Sequence, residues 1–357
     1  MIISIFSKFH MCGGSERRAV ELANGLVTYS GHFVRILCSD DSFPDKLNDL
    51  LDDRVEVCKN SLSEPEMFYT SDVVLVINTD SKDFCTMDYW EGKTVSNHKY
   101  VVDMTKMSGK IILFLFNFLV SPARHLWQFE QVGIKTVILT TNTKFFRELS
   151  EQDRYERVQI IPRFVLNSPI GPSSVKFNDA VGTGTPITIA SFSKRSESKW
   201  NAQIADVVKF LSEKYGSNVQ FNFMGVTESI KQRVWPLSNC LCLSEGEMSV
   251  GDFLDDADVF LFFPDWKREE PWARVVAEAM TAGLPIIATD KGGNKDQIVH
   301  GNNGFLCKDY DRILSSLMTL IERPEMISKM GRNSRVYSHE FSTPMIISKL
   351  MGIIGSV

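Results

Sequence analysis

The sequence predicts an α/β protein built as two doubly wound parallel-sheet domains, and three observations carry that prediction. Its 357 residues, 43% hydrophobic and 23% charged, have ordinary globular composition but exceed what one hydrophobic core comfortably organises. Short strand-type apolar runs alternate with helical patterns along most of the chain, the rhythm of a parallel sheet wrapped by helices. The rhythm breaks once, at residues 167–186, where Pro169, Gly171, Pro172, Gly182, Gly184 and Pro186 stand among small polar residues, and then it restarts. The expected division is therefore a domain over 1–166, a linker over 167–186, a second domain over 187–340 and a C-terminal segment over 341–357.

In chain order, "IISIF" reads as a first strand and Glu16 to Val27 as the helix behind it. "FVRILCS", "SDVVLVIN", "KIILFLF", "KTVILTTN" and "VQIIPRF" supply the remaining strands of the first half. After the linker come "ITIASFS", a helix from about Asn201 to Tyr215, then "VQFNFMG", "CLCLS", "ADVFLFFP", a helix containing Glu278, "LPIIATD" and "NGFLCKD". Asp309 to Val357 reads as two or three helices. The last, "TPMIISKLMGIIG", is amphipathic and is expected to pack back across the domains, with contact at a membrane surface as the alternative.

Charge and cysteine usage narrow the function classes. A net charge of −5 gives no global attraction to nucleic acid or anionic lipid. Seven scattered cysteines without a C-x-x-C pair argue against a disulfide framework or zinc site and for a reducing, cytoplasmic compartment. "MIISIFSKF" has the alternation of a strand rather than the layout of a signal peptide, and "IILFLFNFLV" is about half a bilayer span, so no transmembrane helix is expected. Six histidines show no metal-ligand spacing. The Asp-x-Asp of "DDAD", Asp255 to Asp258, more simply ends a helix before a buried strand than binds a metal.

Chemistry concentrates in three loops. Gly13 and Gly14 separate the first strand from its helix, where backbone N–H groups and the helix dipole can meet a phosphate; a tight strand-to-helix turn explains the same pair. No G-x-G-x-x-G or G-x-x-x-x-G-K-[ST] pattern occurs, which demotes dinucleotide-dependent dehydrogenases and P-loop ATPases. "SFSKRSESKWN" places Lys194, Arg195 and Lys199 at the carboxyl end of the second half's first strand, the edge where doubly wound domains bind ligands; a solvated loop is the plainer reading. In "EEPWARVVAEAMTAGLPIIATDKGG", Pro271 suits a first helical turn. The eight-residue separation would then put Glu270 and Glu278 within roughly 80° of each other on one helix. A pair of solvated charges is the usual meaning of two helical glutamates, but the apolar neighbours of Glu278 would make its burial costly without a hydroxyl or cation partner.

These residues resemble the GT-B glycosyltransferases of family 4 along nearly the whole chain. The likeness is strongest in Glu270, seven residues, Glu278, then "AMTAGLPIIATDKGGNKDQIVHGNNGFL"; "GGSERRAVELANGL", "VQIIPRFV" and "SKRSESKWN" support it. The resemblance implies the GT-B fold, two Rossmann-like doubly wound domains facing across a cleft, and a retaining, metal-independent sugar transfer from a nucleotide diphosphate such as a UDP- or GDP-sugar to an acceptor hydroxyl. It implies that Glu270 bonds the sugar, that the backbone of Trp272, Ala273, Arg274 and Val275 approaches sugar and phosphates, and that Glu278 takes the ribose. Lys199, with Lys194 or Arg195, would neutralise the diphosphate, and Gly13 and Gly14 would close over it. The leaving diphosphate itself would take the acceptor proton, so no separate nucleophile or cofactor is needed.

The acceptor side departs from the family pattern, which often has a histidine after a middle strand. Asn117 follows that strand here, with Asp103 and His125 as alternatives. Ala273 replaces a customary glycine, a change the backbone accepts where φ is negative. The implied acceptor is a glycan or lipid-linked glycan, with a DNA acceptor disfavoured by net charge. Rival readings are a nucleotide-sugar epimerase or donor hydrolase of the same fold, and a non-catalytic nucleotide-sugar-binding partner protein.

Overall fold

A computed structural model describes residues 1–7, 9, 14–39, 41–77, 104–116, 129, 132–152, 158–164, 185–235 and 237–357. Its contacts divide the chain into two units, Met1–Leu166 with Thr343–Val357, and Asn167–Ser342.

In the first unit the apolar runs become β1 (Ile2–Ser7), β2 (Phe33–Cys38), β3 (Glu56–Cys58), β4 (Val73–Ile77), β5 (Ile111–Phe116), β6 (Lys135–Thr140) and β7 (Gln159–Ile161). They form one sheet in the order β3-β2-β1-β4-β5-β6-β7, every pair parallel. Ile5 stands opposite Ile36 on one side and Leu75 on the other, an apolar row in the middle of the sheet. All five residues of β4 are buried, as a strand covered on both faces requires. Helix α1 (Gly14–Ser30) lays Ala19, Leu22, Ala23 and Leu26 into this core at helical spacing. Helix α2 (Thr143–Ser150) starts where the Asn142 side chain accepts the Phe145 N–H at 2.8 Å.

The second unit repeats the plan with β8 (Ile187–Phe192), β9 (Val219–Met224), β10 (Cys240–Leu243), β11 (Val259–Phe262), β12 (Ile286–Thr289) and β13 (Gly304–Cys307), ordered β10-β9-β8-β11-β12-β13 and all parallel. Around them run α3 (Ile204–Tyr215), α4 (Glu228–Val234), α5 (Val250–Asp255), α6 (Arg274–Thr281), α7 (Tyr310–Glu322) and α8 (Glu325–Ser338). Strand order reverses between β8 and β11, so the loops leaving their carboxyl ends diverge and leave a crevice there.

The "DDAD" stretch closes α5. Asp258 accepts the Thr188 N–H at 2.8 Å, and burial raises its carboxyl above the ordinary value. Helix α9 (Thr343–Ser356) returns to the first unit and buries Ile346, Ile347, Leu350, Ile353 and Ile354 in the core that α1 also fills. Phe341, placed by the sequence reading at the start of the C-terminal segment, packs instead within the second unit against Trp272. No helix among the described residues is long and apolar enough to cross a membrane. Residues 167–184, most of the expected linker, lie outside the described residues.

Candidate functional site

The loop that leaves β8 is shaped by its neighbours on the same sheet edge. Ser193 donates its N–H to the Met224 carbonyl at 3.2 Å. Gly225, with φ of +79°, lies so close that a Cβ there would sit 2.1 Å from the Ser193 carbonyl oxygen, so only glycine permits this approach. Trp200 is buried with its ring edge-on to Phe223, and its indole N–H bonds the Lys194 carbonyl at 3.2 Å. Asn201 donates its backbone N–H to Phe263 at 2.9 Å and its side-chain amide to Pro264 at 3.3 Å, which ties this loop to the one leaving β11.

Across that tie, charge assembles. The Lys199 ammonium and the Arg268 Nε both bond Oε1 of Glu270, whose side chain is only 11% exposed. Arg268 also donates from Nη1 to the Ser198 hydroxyl at 3.0 Å. A carboxylate held this far from water is compensated by two charge-assisted bonds. The other two basic residues are placed differently. Lys194 is exposed, and Arg195 gives its N–H to Glu245 at 2.9 Å while its guanidinium lies 3.2 Å from Glu228. Lys199 is thus the member of the basic loop that reaches Glu270.

The structure corrects the sequence reading of Glu270 itself. Helix α6 begins at Arg274 after Ala273 as N-cap, and Glu270 to Ala273 run outside it. The two glutamates are therefore not two turns apart on one helix face. Glu278, in α6, is buried at 6% exposure. Other groups hold the 270–273 segment. Gly293 donates its N–H to the Glu270 carbonyl at 2.8 Å. A Cβ on Gly292 or Gly293 would stand 2.4 Å from the Glu270 oxygen or 2.1 Å from that of Pro271. The fully buried Gln297 side chain takes both backbone groups of Ala273, accepting its N–H at 3.2 Å and donating to its carbonyl at 2.9 Å. Ala273 has φ of −79°, so its methyl group costs no backbone strain.

Gln297 is held in turn. Its carbonyl accepts the Asn303 amide at 3.1 Å, and Ser334 bonds the Asn303 carbonyl at 2.9 Å. Trp272 is buried against Phe341, ring centroids 4.6 Å apart, and Phe341 meets Tyr337, whose hydroxyl donates to Asp296 at 3.0 Å. Arg274 and Val275 are half-buried in the first turn of α6, where backbone N–H groups lack intrahelical acceptors.

Sequence reasoning missed Arg268 and Gln297. Arg268 carried a signal, a cation two residues before Glu270 in the same loop. Gln297 carried none, because a clamp across 24 positions leaves no local spacing. Gly14 opens α1. Gly13, Asp103, Asn117 and His125 lie outside the described residues.

Residues 237–337 match the family model of the group 1 glycosyl transferases. That segment contains Arg268, Glu270, Glu278 and Gln297. Its likeness continues in curated relatives: Spore coat protein SA of Bacillus subtilis is 38% identical over 82 residues, 22% of this chain and 21% of that one. The N-acetyl-alpha-D-glucosaminyl L-malate synthase of Bacillus anthracis is 30% identical over 104 residues, 28% of this chain and 26% of the relative. The chain thus spans only about a fifth to a quarter of the length of these relatives. Whole-chain likeness appears in solved structures. Anabaena Alr3699/HepE in complex with UDP aligns at a TM-score of 0.67 and 15% identity over 100% of both chains. A glycosyltransferase from Rickettsia africae aligns at 0.71 and 15% identity, over 99% of this chain and 98% of that one. The fold is that of the GT-B glycosyltransferases, two Rossmann-like parallel-sheet domains.

Proposed function

We propose that the chain is a retaining glycosyltransferase that moves a sugar from a nucleotide diphosphate to an acceptor hydroxyl, with the donor seated on the second unit. The observation that carries this reading is the Lys199–Glu270–Arg268 cluster at the strand-order reversal, immediately ahead of α6. Cations and a carboxylate side by side suit a ligand that is anionic at one end and rich in hydroxyls at the other. The match of residues 237–337 and the likeness to structures solved with UDP and UDP-glucose support the same chemistry.

In this reading Glu270 accepts hydroxyls of the transferred sugar, and Glu278 accepts those of the ribose. Lys199 offsets the charge that develops as the diphosphate departs, and first-turn N–H groups of α6 face the phosphates. The bond from the anomeric carbon to the phosphate oxygen breaks, the bond to the acceptor oxygen forms on the same face, and the acceptor proton passes to the leaving phosphate. Two side-chain cations at the site let this proceed without a metal ion. Gly13 and Gly14 are proposed as backbone contacts to the donor, and Asp103, Asn117 and His125 as acceptor-side groups. The proposed acceptor is a glycan or lipid-linked glycan, and the proposed location is the cytoplasm.

A thermal-shift screen of UDP- and GDP-sugars tests the donor assignment. A true donor at about 100 times its dissociation constant adds roughly 2.7 kcal/mol of stability. Stability unchanged by every member of a complete nucleotide-sugar panel would overturn the proposal.

A further inference from the structure

The residues that carry the family resemblance do not include Arg268, yet its guanidinium is built into the site from both sides. Its Nε bonds Glu270 and its Nη1 bonds Ser198 at 3.0 Å, so it spans the loops leaving β11 and β8. Its Nη2 has no hydrogen-bond partner among the described residues, and the side chain keeps 32% exposure while the Glu270 beneath it keeps 11%. Nε and Nη1 are therefore engaged, and Nη2 is the donor nitrogen left to present. Lys199, Glu270 and Arg268 together carry one net positive charge, and both cations use the same carboxylate oxygen, Oε1. We propose that Arg268 is a phosphate ligand of this site, acting beside Lys199 on the diphosphate of the bound nucleotide. This assignment rests on the transferase reading.

The physical case is one of preorganisation and shape. A guanidinium matches phosphate oxygens with a fixed, planar set of donors, whereas the Lys199 ammonium acts as a point charge. Two anchors already restrict the Arg268 rotamer, so less side-chain entropy is lost when a phosphate arrives. The neighbourhood favours an anion as well: the exposed Lys194 lies on the adjoining loop, and the N-terminus of α6 opens four residues after Glu270.

Isothermal titration of UDP, GDP and ADP, beside uridine, guanosine and adenosine, separates phosphate from nucleoside recognition. In Arg268→Gln and in Arg268→Met, which keeps the apolar stem, affinity for the accepted diphosphate falls about tenfold or more while affinity for its nucleoside is unchanged. Arg268→Lys recovers only part of the loss, because an ammonium restores the charge but not the planar set of donors. Diphosphate affinity equal to that of the unaltered chain in both variants would overturn the assignment and leave the transferase reading standing. Equal weakening of diphosphate and nucleoside would also overturn it, because that pattern belongs to a loop that has lost its shape. Failure of the unaltered chain to bind any of the three diphosphates would overturn the transferase reading and this assignment together.

Discussion

Glu270 and Cys307 show how burial sets the behaviour of single ionisable groups in this chain. Around Glu270, two cations occupy one oxygen and leave Oε2 outside both bonds, so the carboxylate is fixed in direction while one lone-pair edge stays available for a ligand hydroxyl. Cys307 is the opposite case, a buried thiol whose hydrogen-bond partners are the Phe305 and Arg312 carbonyls and the Ser316 hydroxyl. Its thiol contacts the Arg312 carbonyl at 3.4 Å, and burial lifts it from the ordinary 9.0 to about 11. Between those values the unfolded chain gives up the proton and the folded chain keeps it. The stabilisation from this thiol is thus fully present below pH 9 and is lost as pH rises through about 11. Urea midpoints measured from pH 8 to 11 should fall more steeply for the unaltered chain than for Cys307→Ala, and parallel profiles would contradict this account.

At the level of elements, the segment 270–273 depends on a neighbour that is remote in sequence. Gln297→Leu removes both bonds to Ala273 at once, leaving its buried N–H unpaired at about 1–3 kcal/mol, while its carbonyl still accepts the Val276 and Ala277 N–H groups. A lower urea midpoint together with weaker nucleotide binding is the expected outcome, since the same segment carries Glu270. The strands of both sheets were legible because their apolar runs are continuous and bounded by polar turns, as in "ITIASF" and "VVLVI". The three-residue β3 was not, since it has no periodicity to read. The helical reading of Glu270 failed for a definite reason. Pro271 tolerates a first helical turn equally well as an extended segment, and the choice was made by Gly292, Gly293 and Gln297. Lys199 was legible by its place after a strand. That Arg195 turns to Glu228 and Glu245 was not, because those partners come from other loops.

The whole molecule consists of two parallel-sheet units joined by a chain that leaves the first and finally returns to it. The pattern of strands, a break and a second run of strands was enough to predict that duplication. The return of α9 shows why the first unit is discontinuous: its stripe of Ile346, Ile347, Leu350, Ile353 and Ile354 completes the α1 side of the core. A chain ended after Ser342 should lose on the order of several kcal/mol from the first unit, seen as an earlier urea transition, with the second unit's transition unchanged. The central claim concerns the second unit, where Glu270 is proposed to bond the sugar of a nucleotide donor. The most direct test is release of the nucleoside diphosphate from the donor found by the thermal-shift screen, with a glycan acceptor panel, comparing the unaltered chain with Glu270→Gln. Turnover should drop about 100-fold or more with the thermal midpoint nearly unchanged. Full turnover in the Glu270→Gln variant would contradict the account.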